Sequence, residues 1–512
     1  MASSPRAAQL VSLKSLFPQA VFTAGSDISV STCSRRPNTR IVNSESHIYV
    51  AGVDSLENDD EAAAAAIARG ATAILSERLL PIPVPQCLVG DVRQAYGELL
   101  HALAKHPSQK MLTIGVLGTH GKTSVSLMVA SMLKKIAGSV AYWTTLGANP
   151  ELPIANQTSS APTAKTLTNW MAKSAKQKTP AVVIELSDNV LLNRTAAGIE
   201  FDILVIPSFR KTQRNDRLES RGIETAILRS IDQLKEHGLV VYNADDARLN
   251  RLIERNQIPA IGYGMDADAQ VRGKRIHREH GSQTMMISAG RSLMPLSSKL
   301  MGDHHLRHQL AAVAVGHAFG LDLFEVIGSV ERLTQIPGRM QSLTCGQDFS
   351  VYVDASDQAD RLAVALHALA PLGGRITCVA EVPDCADAEQ RAAYGRVLSR
   401  AASRVILTQS RVTTKQGQHL MWEVLDGCDQ PAAVNLVPDR AAAIELAMRS
   451  AEPGDQILLA GWGIDRWTNG RNKQACNDKE IAESFLYALA KEGDDAQRST
   501  IALLPSTRTN ES

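Results

Sequence analysis

The stretch Thr113–Lys134, TIGVLGTHGKTSVSLMVASMLK, restricts the fold of this chain more than any other. It opens with an apolar run (Ile114, Val116, Leu117), passes through Gly118-Thr119-His120-Gly121-Lys122-Thr123-Ser124, and continues as a helical pattern with no breaker. That is a buried strand, a glycine turn and a helix N-terminus. Backbone N–H groups at such a turn point at an anion, and the helix dipole adds to them. Lys122 can then reach the outer phosphates of a nucleotide, and the hydroxyl of Thr123 can ligate Mg²⁺. The generic phosphate-loop pattern asks for a glycine five residues before Gly121, where this chain has Val116. The shorter form, G-T-x-G-K-[TS], is complete. A merely structural turn is the competing reading.

A chain of 512 residues suggests two to four domains. The formal net charge of +1 gives no electrostatic case for nucleic acid or an anionic membrane. The 4% of aromatic residues form no stripe that would stack bases. Seven cysteines are odd in number, scattered, and never in a C-x-x-C pair, so neither a disulfide framework nor a zinc site is indicated. The start, MASSPRAAQLVSLKSLF, has no sustained apolar core, and no run of eighteen apolar residues occurs. A cytoplasmic protein without membrane insertion is expected.

The periodicity predicts alternating strands and helices throughout, an α/β chain in three parts. Residues 1–108 read as a small α/β domain, with strands at 47–51 and 71–75 and helices at 60–69 and 92–105. Residues 109–336 start with the glycine turn. Apolar strands at 181–184, 201–206 and 239–242 follow, as in a doubly wound, mainly parallel sheet. Residues 266–295 alternate and predict antiparallel edge strands, followed by a long helix from about 306 to 319. Residues 337–493 repeat the alternation, with strands at 350–353, 375–379, 404–407 and 456–460 and helices at 358–369, 387–401, 439–451 and 477–491. The tail, 494–512, is polar and Ser/Thr-rich and reads as disordered.

With G-T-x-G-K-[TS] opening the second of three α/β regions, the chain resembles the Mur ligases, most closely the branch that forms UDP-N-acetylmuramoyl-tripeptides. Family landmarks follow in order. Asn38-Thr39-Arg40 stands for D-S-R, and Glu185-Leu186-Ser187-Asp188-Asn189 for E-V-S-S-H. Asp216 to Gly222 stands for D-H-L-D-x-H-G, and Asn243-Ala244-Asp245-Asp246 for N-x-D-D. Ile336-Pro337-Gly338-Arg339-Met340 marks the entry to a Rossmann-like C-terminal domain, and Asp439-Arg440 begins D-R-x-x-A-I.

The resemblance implies an ATP-dependent amide ligase. The carboxylate of a UDP-N-acetylmuramoyl peptide attacks the γ-phosphate, and the amine of an amino acid displaces phosphate from the acyl phosphate. It implies ATP at Gly118, Thr119, His120, Gly121, Lys122, Thr123 and Ser124, with Mg²⁺ on Thr123 and Glu185. It also implies a monomer. Glu185 ends an apolar strand, where the competing reading is a solvated strand-end carboxylate. Lys122 and Glu185 are the expected catalytic groups, with Arg217 standing where the family has its second-metal histidine. A guanidinium there can clamp a phosphoryl group. His305 and His308 replace an asparagine pair close to the adenine, while Arg339, Asp354 and Asp439 are expected where the second and third regions meet, with His305, Arg339 and Asp354 implied as nucleotide-binding. The cluster His304, His305, His308 reads as a helix start rather than a metal site. The amino-acid selector D-N-P-R is replaced by Thr408-Gln409-Ser410-Arg411-Val412, so the amino acid is not named by the sequence. Two further readings stay open. One is a non-catalytic relative that binds nucleotide or UDP-sugar as a scaffold or regulator. The other is a ligase of the folylpolyglutamate kind.

Overall fold

The computed structural model describes residues 10–37, 39, 46–53, 59–149, 162–209, 217–279, 281–383, 387–410, 414–468 and 474–502; for 217–221, 414–416 and 492–502 it describes the backbone alone. The chain divides into two compact units, residues 1–271 with 311–322, and residues 272–310 with 323–512. The three α/β regions read from the sequence each carry a sheet of their own.

In the N-terminal region the five-stranded sheet is built from β1 (Val21–Phe22), β2 (Thr32–Ser34), β3 (His47–Val50), β4 (Ala73–Ser76) and β5 (Gln86–Leu88), in the order β1-β5-β4-β3-β2. All pairs except β1 with β5 are parallel. The helices α1 (Asp59–Ala68) and α2 (Val92–Leu103) accompany them. Asp91 caps α2 by accepting from Gln94 N, which satisfies one of the orphan donors of its first turn. Ile48, Ala73, Leu75, Tyr96 and Leu99 belong to one of the two cores here. His101 on α2 is buried, and burial pushes it down to about 3, so the ring is neutral as it meets Ser108 Oγ at 2.8 Å.

The sheet after it includes β6 (Leu112–Val116), β7 (Val140–Thr144), β8 (Gly147–Asn149), β9 (Ala181–Glu185), β10 (Phe201–Ile206), β11 (Leu234–Asn243) and β12 (Ala260–Gly264). Their order is β8-β7-β9-β6-β10-β11-β12, and only β8 runs antiparallel. The helices α3 (Lys122–Ala137), α4 (Ala164–Lys176), α5 (Asp188–Leu192), α6 (Arg217–Ile231) and α7 (Ala247–Arg255) alternate with them. The winding reverses at β6. The chain goes from β6 to β7, returns to β9 between them, and then crosses to β10 on the far side. In open sheets of this kind, ligands bind where the carboxyl ends of the strands meet that reversal. Strand β11 is longer than its apolar run at 239–242. Its polar start is held by Lys235, whose Nζ reaches Asp202 on β10 at 2.7 Å.

Next along the chain, β13 (Val271–Glu279), β14 (Ser282–Ala289) and β15 (Ser292–Ser298) lie side by side in that order, as the alternating pattern predicts. Helix α8 (Asp303–Ala318) follows, starting three residues before the expected 306, and then α9 (Leu323–Val330). The last sheet is built from β16 (Gln341–Leu343), β17 (Ser350–Asp354), β18 (Ile376–Glu381), β19 (Arg404–Thr408), β20 (Asn435–Leu436) and β21 (Gln456–Ala460). Its order is β16-β17-β21-β18-β19-β20, parallel except for β16. The helices α10 (Ala359–Leu369), α11 (Ala388–Ala401), α12 (Thr414–Leu425), α13 (Arg440–Arg449) and α14 (Asp478–Ala502) flank it.

Helix α14 corrects one expectation. The tail read as disordered from 494 is helical as far as Ala502. The run from Asp478 is rich in Ala, Leu, Glu and Lys; Gly493 weakens it at the expected boundary, but no proline interrupts it before Pro505 and the helix runs through. No described helix is long and apolar enough to cross a membrane. Among the described residues, Cys33, Cys87, Cys345, Cys378, Cys428 and Cys476 are free thiols. Burial pushes Cys33, Cys87 and Cys378 up to about 12.

Candidate functional site

The loop Gly118–Gly121 leaves the carboxyl end of β6 at the reversal point and feeds directly into α3. Gly121 precedes the helix in the left-handed region (φ 81°) and offers no side-chain cap, so the first N–H groups of α3 are left for an outside acceptor. Gly118 has φ 124°, and a Cβ built on it would lie 2.4 Å from Ser208 O. That carbonyl accepts from Thr119 N at 2.9 Å. Ser208 Oγ in turn accepts from His120 N at 2.9 Å and meets Thr119 Oγ1 at 3.0 Å. The loop is therefore moulded against Ser208, which follows the end of β10.

Ser208 is itself held from β11. Asn243 Nδ2 donates to Pro207 O at 3.2 Å, and Asp246 Oδ2 accepts from Phe209 N at 2.8 Å. The other oxygen of Asp246 caps α7 by accepting from Arg248 N at 3.0 Å, and the Arg248 guanidinium lies 4.0 Å over the Phe209 ring. This gives the Asn243–Asp246 motif a physical task. It fixes the residues on which the loop rests. Gly118→Ala, which combines a forbidden φ with the Ser208 collision, is expected to cost about 2–3 kcal/mol and to weaken anion binding. Urea denaturation and ADP titration of the variant check this; unchanged midpoint and affinity would refute it.

Two side chains of the loop face carboxylates. Glu185, the last residue of β9, is 4% exposed, so the solvated strand-end reading does not describe it. Its Oε1 accepts from Thr123 Oγ1 at 2.9 Å, while Oε2 accepts from Thr145 N at 2.8 Å and Thr145 Oγ1 at 3.2 Å. Among the described residues no cationic side chain pairs with it. A buried carboxylate compensated only by hydroxyls and one amide suits a hard cation, which takes oxygen ligands. The donor set therefore fits Mg²⁺ on Thr123 and Glu185. Lys122, its side chain 11% exposed, donates to Gly118 O at 2.6 Å, Thr119 O at 3.3 Å and Asp188 Oδ1 at 3.1 Å.

The remaining sequence candidates fall elsewhere. Arg217 is the first residue of α6, and its side chain is outside the described residues, as are Asn38, Arg40 and Arg411. His305, Arg339 and Asp354 group together in the second unit. Burial pushes His305 down to about 4, with Arg339 adding to the effect, and its Nδ1 donates to Met301 O at 2.8 Å. Asp354 is raised by burial against the opposing pull of Arg339, and it accepts from Met340 N at 2.7 Å. Asp439 caps α13 through Ala442 N. The rings of His304, His305 and His308 lie 4.1–5.9 Å apart, and burial holds His304 well below its ordinary range. Among the described residues no group of three or more His, Cys, Asp or Glu is placed to hold a metal ion.

Three contacts were not foreseen from sequence as part of the site: Ser208, Thr145 and Asp188. Asp188 stands within a recognisable segment, but Ser208 and Thr145 reach the loop from other strands and carry no local motif.

Residues 116–316 match the Mur ligase middle domain, and residues 338–463 match the Mur ligase glutamate ligase domain. The UDP-N-acetylmuramoyl-L-alanyl-D-glutamate–2,6-diaminopimelate ligase of Thermosynechococcus vestitus is 28% identical over 441 residues, covering 83% of this chain and 88% of the relative. The ligase of the same name from Geobacillus kaustophilus is 26% identical over 435 residues, covering 82% and 88%. A solved ligase of that name has a TM-score of 0.67 at 23% identity, covering 94% of this chain and all of the other. The MurF ligase of Thermotoga maritima, solved in complex with ADP, has a TM-score of 0.57 at 16% identity over 91% of this chain and 98% of that one; these two share the fold. With the two domain matches spanning more than half of its length, the chain belongs to the Mur ligase family.

Proposed function

We propose that this protein is an ATP-dependent amide ligase that joins an amino acid to a UDP-N-acetylmuramoyl peptide through an acyl phosphate. The observation that carries the proposal is the loop Gly118–Ser124 at the reversal point of the parallel sheet, with Thr123 Oγ1 2.9 Å from the buried Glu185. The similarity to ligases named for such a substrate supports it.

In this reading the free N–H groups at the start of α3 receive the phosphates, and Lys122 turns from the loop carbonyls to the γ-phosphate as charge develops there. Thr123 and Glu185 would hold Mg²⁺, which supplies charge neutralisation on the phosphates. Thr145 keeps Glu185 aimed at Thr123 by giving its other oxygen two hydrogen bonds. Phosphoryl transfer asks the protein mainly for such positioning and electrostatics. Arg217 is proposed as a further clamp on the transferred group. For His305, Arg339 and Asp354, nucleotide contact is proposed on the strength of the resemblance alone. A three-domain division near residues 108 and 336, a monomer and a cytoplasmic location belong to the same reading.

The test is phosphate release and mass-spectrometric product detection with ATP, Mg²⁺, UDP-N-acetylmuramoyl-L-alanyl-D-glutamate and a panel of amino acids that includes 2,6-diaminopimelate. A mass gain of one amino acid with one phosphate released is expected. Tight binding of the UDP compound with no product from any amino acid would refute the ligase reading.

A further inference from the structure

An ammonium group has three protons to donate, and those of Lys122 are all engaged within the protein: Gly118 O at 2.6 Å, Thr119 O at 3.3 Å and Asp188 Oδ1 at 3.1 Å. Two of the three acceptors are carbonyls of the loop itself. The third is a full negative charge on the first residue of α5, whose side chain is 44% exposed. Any phosphate that recruits Lys122 must draw it away from Asp188 and then lie beside the carboxylate it has left unpaired.

The two carboxylates at this end of β9 differ in kind. Glu185 is buried and oriented by hydrogen bonds from Thr123 and Thr145, so its position is set before any ligand arrives. Asp188 is open to water and has Lys122 as its ion-pair partner. Its charge is the one that goes from paired to unpaired when the lysine moves. A metal-free polyphosphate adds several negative charges next to it and is repelled. A polyphosphate carrying a divalent cation brings fewer net charges, and the cation offers Asp188 an electrostatic partner in place of the lost lysine.

On this basis, and resting on the nucleotide reading above, we propose that Asp188 is a specificity-determining residue: it makes the site accept the divalent-cation complex of a nucleotide and discriminate against the metal-free nucleotide. The half-exposed position limits the effect of each charge pair, but several phosphate charges act together, which sets the expected discrimination at about tenfold.

The experiment is calorimetric titration of the full chain and of its Asp188→Asn and Asp188→Ser variants with ADP, once in Mg²⁺ and once in excess EDTA. For each protein the ratio of the metal-free to the Mg²⁺ dissociation constant is taken, so that any loss of folded fraction cancels. In both variants the ratio is expected to fall about tenfold, mainly because metal-free ADP binds more tightly. A ratio unchanged within about twofold overturns the proposal. Equal tightening of both forms also overturns it, because Asp188 would then only compete for Lys122. If the unmodified protein binds neither form, the nucleotide reading itself fails, and Asp188 has nothing to discriminate. Should one variant not fold, the other decides.

Discussion

Lys122→Ala is expected to lower ATP turnover by about a thousandfold while leaving the fold intact. The lysine is the cation that the loop places over its own carbonyls, 2.6 Å from Gly118 O, within reach of any phosphate seated at the start of α3. Removing one preorganised donor aimed at developing charge typically costs about 10²–10³ in rate, and cationic clamps on a transferred phosphoryl group are worth about 10³–10⁵. Folding has less to lose, because Gly118 and Thr119 keep the contacts to Ser208 that shape the loop. Single-turnover phosphate release with ATP and the acceptor peptide reads the rate, and urea denaturation reads the fold. Turnover within about threefold of the unmodified protein would remove Lys122 from the chemistry. Lys122→Arg is expected to recover little, since a planar guanidinium cannot reproduce the point charge folded against the loop.

Asp478→Asn is expected to destabilise the C-terminal region by about 3–5 kcal/mol. Arg440 and Asp478 are both fully buried, and the guanidinium grips the carboxylate with two hydrogen bonds, Nε to Oδ1 at 2.7 Å and Nη2 to Oδ2 at 2.5 Å. Burial alone would push Arg440 down, but Asp478 and Glu381 together hold it above its ordinary value. Neutralising Asp478 strips away the stronger of those partners and leaves a buried cation under-compensated. The contrast is the exposed Arg449–Glu445 pair, one helical turn apart, whose removal is expected to cost no more than about 0.5 kcal/mol. Trp467 provides the readout, because its Nε1 donates to Asp478 Oδ1 at 3.0 Å and its fluorescence follows that contact. Urea curves in which the two variants shift equally would contradict the difference in burial.

Much of the architecture was legible because its strands are short apolar runs bounded by turns. Two of them, 201–206 and 456–460, match their expected limits. The glycine turn and Glu185 were legible for a local reason too: each sits where a strand ends, and strand ends can be seen in one dimension. What stayed hidden is what depends on pairing. The polar start of β11 makes sense only once Lys235 meets Asp202 on the neighbouring strand. Ser208 supports the loop only because the fold brings the end of β10 beside the end of β6, and no spacing in the chain signals it. Arg440 was visible as part of a short motif, but its complete burial depends on an aspartate 38 residues further along. The helix at Thr414–Leu425 was missed because its first turn is polar and interrupted by Gly417.

The carboxyl ends of β18, β19 and β21 meet around that same arginine. Glu381, Thr408 and the Ala460 carbonyl, each the last residue of its strand, all contact it, and Ser410 links Glu381 onward to Trp462. Sheets of this topology commonly leave such a place for a ligand; here the chain has filled it with itself. The consequence is evolutionary. Any one of these side chains, changed alone, removes a partner from its neighbours in the network, so their effects are expected to be non-additive. A descendant that reopened this end of the sheet would have to exchange the group together, so these positions are expected to change as a block.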